Sequence, residues 1–291
     1  MNPFSVIFCG TPDFAVPSLK ALLDDDAFNV TLVITQPDRP IGRKQILTAP
    51  PVKVIAEEHG IPVFQPESIN KELPAYLESH NLERPDFLIV VAYGKILKQP
   101  ILDLPFIAPI NVHGSLLPRW RGASPVEHAV MFGDEFTGVT VQEMAFELDA
   151  GPILSMQSIV MEPRETSLSM REKLSTIGAK LLVDTLKKPL KPEPQPTTSI
   201  TICGKLSRDD AKVDPTMMNA IEIDRRVRAL NPWPSVLCTI DGHEVKILES
   251  ALEPAKNSFP LPCAQNTVLY LITIQEAGKK SMAAADWQRG I

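Results

Sequence analysis

Along the first part of the chain, short β-rich apolar runs alternate with stretches of helical periodicity. Residues 5–10 (SVIFCG) are apolar and close on glycine, and residues 16–23 carry helical spacing. Residues 30–35 predict a second strand, 52–59 a helix with Val52, Val54, Ile55 and Ala56 apolar, 61–64 a short strand and 69–80 a further helix. Residues 87–93 (FLIVVAY) are too continuously apolar for a sheet with one wet face, and such runs belong to parallel sheets covered on both sides. Residues 108–113 follow as another strand. Strands alternating with helices in this order predict an α/β, doubly wound sheet.

After a helix over 124–132 the rhythm changes. Two strand-like runs, 137–144 and 153–160, follow each other with only a loop between, so the sheet is expected to end in a more antiparallel region. Residues 168–186 then form a long amphipathic helix. Pro189, Pro192, Pro194 and Pro196 recur at intervals of two or three in PLKPEPQP, a spacing that forbids helix and favours an extended, stiff spacer. The expected division is 1–188, a linker over 189–205, and 206–291. In the last part a helix over 219–230 precedes short strands at 236–240, 245–250 and 268–274, which predicts a small β-barrel.

Composition agrees with two folded domains. The chain has 291 residues, of which 44% are apolar and 22% charged, which excludes a largely disordered protein. No run reaches the roughly 18 apolar residues of a spanning helix. The start, Met-Asn-Pro-Phe, lacks a basic region followed by an apolar one, so no secretory signal and a cytoplasmic location are expected. Cys9, Cys203, Cys238 and Cys263 are far apart and show no CxxC or Cys/His spacing, so neither a zinc site nor disulfides are expected. The net charge of −6 argues against a nucleic-acid partner, but its distribution weakens that argument. Residues 1–190 hold 17 Lys+Arg against 23 Asp+Glu, whereas residues 191–291 hold 12 of each.

The densest group of unusual residues is 110–125, INVHGSLLPRWRGASP, which leaves a strand and enters a helix. Ser124, Pro125 and Glu127 fit a capping pattern with Ser as N-cap and Glu at N3. Asn111 and His113 are two apart, so on a strand their side chains share a face at the carboxyl end, where open α/β sheets bind ligands. An amide beside an imidazole can hold a developing oxyanion and manage a proton. Taken alone, Asn-x-His is more often a hydrogen-bonded pair at a sheet end. Asp149, in Glu147-Leu-Asp-Ala-Gly-Pro, is by itself more often a turn former, unless its loop folds over the Asn111/His113 edge. Gly10-Thr11-Pro12-Asp13 occupies the place of a dinucleotide fingerprint but is not GxGxxG, and Pro12 removes an amide that could cradle phosphate, so NAD and ATP are disfavoured. The long loop 36–51 (QPDRPIGRKQILTAPP) carries Arg39, Arg43 and Lys44 and is either a phosphate-contacting or a solvated loop. Arg225, Arg226 and Arg228 suggest a basic helix face.

Together these segments resemble the folate-dependent formyltransferases. FCGTPDFAVPSL, VVAYGKIL, NVHGSLLPRWRGASP, ELDAGPIL and GKKSMAAAD carry the likeness, while QPDRPIGR and the NPWP at Asn231–Pro234 narrow it to members that act on initiator tRNA. The resemblance implies a Rossmann-like catalytic domain, a linker and a C-terminal OB-like β-barrel that helps hold tRNA. It implies 10-formyltetrahydrofolate as formyl donor, no metal, initiator Met-tRNA as acceptor, no membrane, and a monomer. The family's catalytic Asn, His and Asp fall on Asn111, His113 and Asp149, its folate-contacting segment on Ser115, Leu116, Leu117 and Pro118, and its tRNA-contacting loop on 36–51, with the family's loop Arg matching Arg43. Two departures are visible. Arg43-Lys44 is followed by Gln45-Ile46-Leu47 rather than Lys and Gly, and the segment between Leu252 and Val268 is shorter than the family pattern, so the barrel is expected to be reduced.

Overall fold

The structure is a computed structural model that describes residues 2–42 and 44–289. It divides into two compact units, one of Met1–Ala123, Gly138–Ile159 and Arg171–Ile202, the other of Ser124–Thr137, Val160–Met170 and Cys203–Ile291. In chain order the elements are β1 (Phe4–Gly10), α1 (Val16–Leu23), β2 (Phe28–Ile34), β3 (Arg39–Ile41), β4 (Ile46–Thr48), α2 (Pro51–Glu58), β5 (Val63–Phe64), α3 (Ile69–Ser79), β6 (Phe87–Val91), α4 (Gln99–Leu102), β7 (Ala108–His113), β8 (Arg121–Gly122), α5 (Pro125–Phe132), β9 (Phe136–Glu143), β10 (Ile153–Val160) and α6 (Ser167–Leu186). There follow β11 (Ile202–Cys203), α7 (Ala220–Leu230), β12 (Val236–Ile240), β13 (His243–Ala251), β14 (Phe259–Cys263), β15 (Thr267–Glu276), β16 (Met282–Ala283) and α8 (Ala284–Gln288).

The first unit is organised on a seven-stranded sheet of order β10-β9-β7-β6-β1-β2-β5. From β5 to β7 neighbouring strands are parallel, and β9 joins β7 antiparallel, with Asn111 opposite Gln142 and His113 opposite Thr140. The continuous apolar run of β6 is explained by this placement, since all five of its residues are buried. Chain order reverses between β1 and β6, which makes the carboxyl edge of these strands a ligand crevice in a Rossmann-like sheet. Gly10 closes β1 where a Cβ would lie 2.7 Å from Phe8 and 2.8 Å from Ala15, too near for any other residue.

Several expectations change in the folded chain. Residues 36–51 are not an irregular loop: β3 and β4 form an antiparallel hairpin with Arg39 opposite Thr48. The capping box expected at Ser124 is not made, because Ser124 sits at the N-cap of α5 without a side-chain cap and Glu127 is buried. A full capping box occurs instead at α7, where Asn219 accepts from the Glu222 amide and the Glu222 carboxylate from the Asn219 amide. The Pro-rich segment is extended, as proline dictates, but it does not hang free. Glu193 pairs with Ile153 through two backbone hydrogen bonds of 2.7 and 2.8 Å.

In the second unit, five strands form a sheet of order β12-β13-β15-β14, with β16 pairing on β15. The small β-barrel, expected to be reduced, is not closed: among the described residues no pairing joins β12 to β14 or β16. The reason lies in the shortened segment. Its one strand, β14, reads Phe-Pro-Leu-Pro-Cys, and Pro260 and Pro262 have no N–H to give a further neighbour, which confines it to an edge. Its alternation still serves the core, with Phe259 and Leu261 buried and both prolines exposed. Helix α7 lies against β13 and β15; its Ile223, Val227 and Leu230 are buried, as are Val245 and Ile247 on β13 and Leu269 and Leu271 on β15.

All four cysteines are free thiols. Burial raises the Cys9 thiol well above its ordinary value and pushes Cys238 up to about 11, so both behave as small apolar residues. No helix among the described residues is long and apolar enough to cross a membrane.

Candidate active site

His113, the last residue of β7, is 6% exposed, and its two ring nitrogens have different partners. Nε2 lies 2.8 Å from the Trp120 carbonyl oxygen. A carbonyl only accepts, so Nε2 carries a proton. Nδ1 faces the Asp149 carboxylate, with Oδ2 at 3.7 Å, close enough for Coulombic attraction and too long for a direct hydrogen bond. The expected juxtaposition of the Asp149 loop with the β7 edge is therefore present.

The loop after β7 makes this possible by returning on itself. Trp120 has φ 59° and Gly122 φ 118°, which turns the Trp120 carbonyl toward His113 and the Gly122 amide toward Asp149. Gly122 N–H donates to Asp149 Oδ2 at 2.8 Å. Asp149 itself has φ 53°, a left-handed conformation that few non-glycine residues adopt and that costs free energy, a mark often left by function. Asn111, half-buried, donates from Nδ2 to the Val90 carbonyl at 3.0 Å and keeps a second N–H for a ligand.

Two residues that sequence reasoning passed over complete the cluster. Gln142, buried on β9 opposite Asn111, donates to Asn111 Oδ1 and to Asp149 Oδ1, each at 3.2 Å. Gln195, from the Pro-rich segment, donates at 2.8 Å to the carbonyls of both Asp149 and Gly151 and accepts from Arg121. An uncharged amide within the strand-like run 137–144 was the available signal for Gln142. None marked Gln195, whose role depends on a contact 46 residues distant in sequence.

Ser115 and Leu117 are buried, and the Ser115 hydroxyl is engaged with the Arg119 carbonyl. Leu116 and Pro118 are the partly accessible members of that segment, shaped by a cis Leu117–Pro118 bond. On the other side of the crevice Thr11 Oγ1 and Gln36 Nε2 both donate to the Tyr93 carbonyl, at 3.2 and 3.0 Å. Two residues on, Asp38 is held by Gln65 and Lys53, whose hydrogen bonds keep its carboxyl below the ordinary range. From this base rises the β3–β4 hairpin, with Arg39 and Lys44 exposed and Ile41, Ile46 and Leu47 each at least 60% exposed. Arg43 lies outside the described residues.

Arg225, Arg226 and Arg228 do not make a free basic face. Arg228 binds Asp224 and the Glu165 carbonyl, Arg226 the Asp210 carbonyl, and Arg225 the Phe132 carbonyl over Gly133. Among the described residues no three His, Cys, Asp or Glu side chains gather as a metal-binding group.

The Asp149 loop approaches the backbone at the end of β9 closely at Gly151. A Cβ on Gly151 would lie 1.8 Å from the Glu143 carbonyl oxygen, with only backbone around it. Gly151→Ala is therefore expected to displace Asp149 and lower turnover on the order of 10²-fold, measured by steady-state kinetics beside circular dichroism showing a folded chain.

A Rossmann-like sheet thus brings to its carboxyl edge an amide donor, an imidazole and a carboxylate, groups that can hold an oxyanion and move a proton. The chain belongs to the formyl transferase family: its N-terminal model matches residues 4–186 and its C-terminal domain model residues 205–291. Solved structures share the fold. An N-formyltransferase from Helicobacter canadensis, in complex with folinic acid and dTDP-3-aminofucose, superposes with a TM-score of 0.68 at 17% identity, over 93% of this chain and 98% of that one. A sugar N-formyltransferase from Shewanella gives 0.63 at 18% identity, over 87% and 99%. HypX from Aquifex aeolicus, in complex with tetrahydrofolic acid, gives 0.63 at 15% identity, over 99% of this chain but 47% of HypX, so this chain spans about half its length.

Proposed function

We propose that the protein transfers the formyl group of 10-formyltetrahydrofolate to the α-amine of initiator Met-tRNA. The observation that carries the reading is one sheet edge bearing two features. Asn111 and His113 lie on β7 with Asp149 facing His113 from the β9–β10 loop, and the Arg39/Lys44 hairpin rises from residues tied to the end of β6. The motifs QPDRP and NPWP support the same acceptor. Leu116 and Pro118 line the donor side, and the folate ligands bound in the H. canadensis and HypX structures support the donor. The second unit, read as an OB-like module with its barrel open, helps hold the tRNA.

In the reaction the neutral amine attacks the formyl carbon, and negative charge gathers on the formyl oxygen. The free N–H of Asn111 and the Nδ1 proton of His113 stabilise that charge. The proton lost by the amine passes to Asp149 through a water, the bond from carbon to the folate nitrogen breaks, and that nitrogen takes up a proton as it leaves. No covalent enzyme intermediate is required.

A second reading has a specific support. The H. canadensis enzyme of this fold is bound to dTDP-3-aminofucose, so an amino-sugar nucleotide is the competing acceptor. The deciding experiment supplies purified protein with 10-formyltetrahydrofolate and, in separate arms, initiator Met-tRNA, elongator Met-tRNA and dTDP-3-aminofucose. Formylmethionyl-tRNA made in the first arm in clear preference to the others supports the proposal, and product on the sugar alone overturns it. With only two or three phosphates neutralised by the hairpin, the Michaelis constant for tRNA is expected to rise about tenfold between roughly 50 and 200 mM salt. A salt-independent value counts against the hairpin as the tRNA contact.

A further inference from the structure

Asn111 serves the reaction only if its amide shows nitrogen, not oxygen, to the formyl oxygen. At most such positions the choice between the two orientations is ambiguous, but here the neighbours settle it. Arg121 can only donate, and its Nε and Nη2 lie 3.0 and 2.8 Å from Gln195 Oε1. Gln195 must then turn its nitrogen to the Asp149 and Gly151 carbonyls, each at 2.8 Å, which use both of its hydrogens. The Asp149 carboxylate only accepts, so Gln142 turns its nitrogen to Asp149 Oδ1 and with it to Asn111 Oδ1. The far end agrees independently: the Val90 carbonyl only accepts, so the Asn111 atom beside it is nitrogen. A donor-only group at one end and an acceptor-only group at the other leave one consistent direction for all three amides.

We infer that Gln142 and Gln195 are positioning residues for formyl transfer: they lock the Asn111 amide with its N–H toward the reacting oxygen and fix the Asp149 carboxylate beside His113. Gln142 is the branch point, since one –NH2 group spans the oxyanion donor and the proton acceptor. Gln142 is 1% exposed, and hydrogen bonds linked in a chain at so low an exposure polarise one another. Neither residue touches substrate. The inference rests on the formyl-transfer reading of the site but not on the identity of the acceptor.

The test uses the full chain with Gln142→Met, which keeps length and removes the donors, and Gln142→Glu, which keeps shape but can only accept. Gln142→Met is expected to lower kcat about 10- to 100-fold, with both Michaelis constants within about threefold. Gln142→Glu is expected to lose more, because a carboxylate there turns the Asn111 amide over. It also places a second carboxylate against Asp149, so the acid limb of the kcat–pH profile moves to higher pH. Gln195→Met, at a partly exposed position, is expected to lose about tenfold and covers the case in which a Gln142 variant fails to fold. A purely structural role lowers the melting temperature of all three while kcat and its pH profile stay unchanged, and that result overturns the inference. So does an equal loss in the Met and Glu variants with an unmoved acid limb. Wild-type turnover on initiator Met-tRNA and on dTDP-3-aminofucose decides the acceptor separately, and the ratio of variant to wild type is read on the acceptor that is used.

Discussion

Replacing Asp149 with Asn is expected to lower the formyl-transfer rate constant by about 10³-fold, with the chain still folded. The wild-type carboxylate accepts from the Gly122 amide on one oxygen and from Gln142 on the other, while Oδ2 faces His113 Nδ1 at 3.7 Å. An asparagine amide has one oxygen. Whichever way it turns, its –NH2 meets a donor, the Gly122 N–H or the Gln142 –NH2. One hydrogen bond is lost, the charge that attracts a proton to Nδ1 is gone, and the acceptor for the amine's proton goes with it. His113→Ala removes the same proton from the other side and is expected to fall within about tenfold of Asp149→Asn. The double variant should lose little more than either alone, because the two act as one unit. Single-turnover formyl transfer, with circular dichroism of each variant, checks this. Near-normal transfer by either single variant, or losses that multiply in the double, would refute the paired role.

The largest expected loss of stability lies in the second unit. Asp224 on α7 is 1% exposed and holds two guanidiniums. Arg164 Nη1 reaches its oxygens at 2.9 and 3.0 Å, Arg228 Nε reaches Oδ2 at 2.9 Å, and Ser250 Oγ donates to Oδ1 at 2.9 Å. Asp224→Ala leaves Arg228, whose side chain is 11% exposed, without its counter-ion, whereas the half-exposed Arg164 can turn to water. The cost is expected near the lower end of a broken buried pair, about 3 kcal/mol. For a unit of this size that corresponds to a fall on the order of 10 °C in melting temperature. Asp224→Asn, which keeps the shape and one acceptor, should lose less. Thermal and urea unfolding of the two variants measure both. A loss below about 1 kcal/mol for Asp224→Ala would mean that the ion pairs only offset their own desolvation.

Much of this organisation is legible in the order of residues because its cause is local. The apolar run of β6 requires cover on both faces, and the i, i+2 spacing of Asn111 and His113 puts both on one face of β7. Charge reads less well. The arginines at 225, 226 and 228 look like a free basic face, but each is engaged within its own unit, and burial of Asp224 is what recruits Arg228. The strand at Phe259–Cys263 is hidden for a related reason. Its prolines argue against a strand until a neighbour supplies pairing on one side and solvent lies on the other.

The sequence by itself determined the α/β character of the first unit, the strand and loop that carry Asn111, His113 and Asp149, and the extended conformation of the Pro-rich segment. These follow from side-chain volume, periodicity and the geometry of proline. Tertiary structure alone decided that the Pro-rich segment returns to pin the Asp149 loop, that Gln142 stands between the donor amide and the carboxylate, and that the second sheet stays open. Each depends on which groups meet across tens of residues, and a hydrogen bond has no meaning along a chain until both partners have been placed in space.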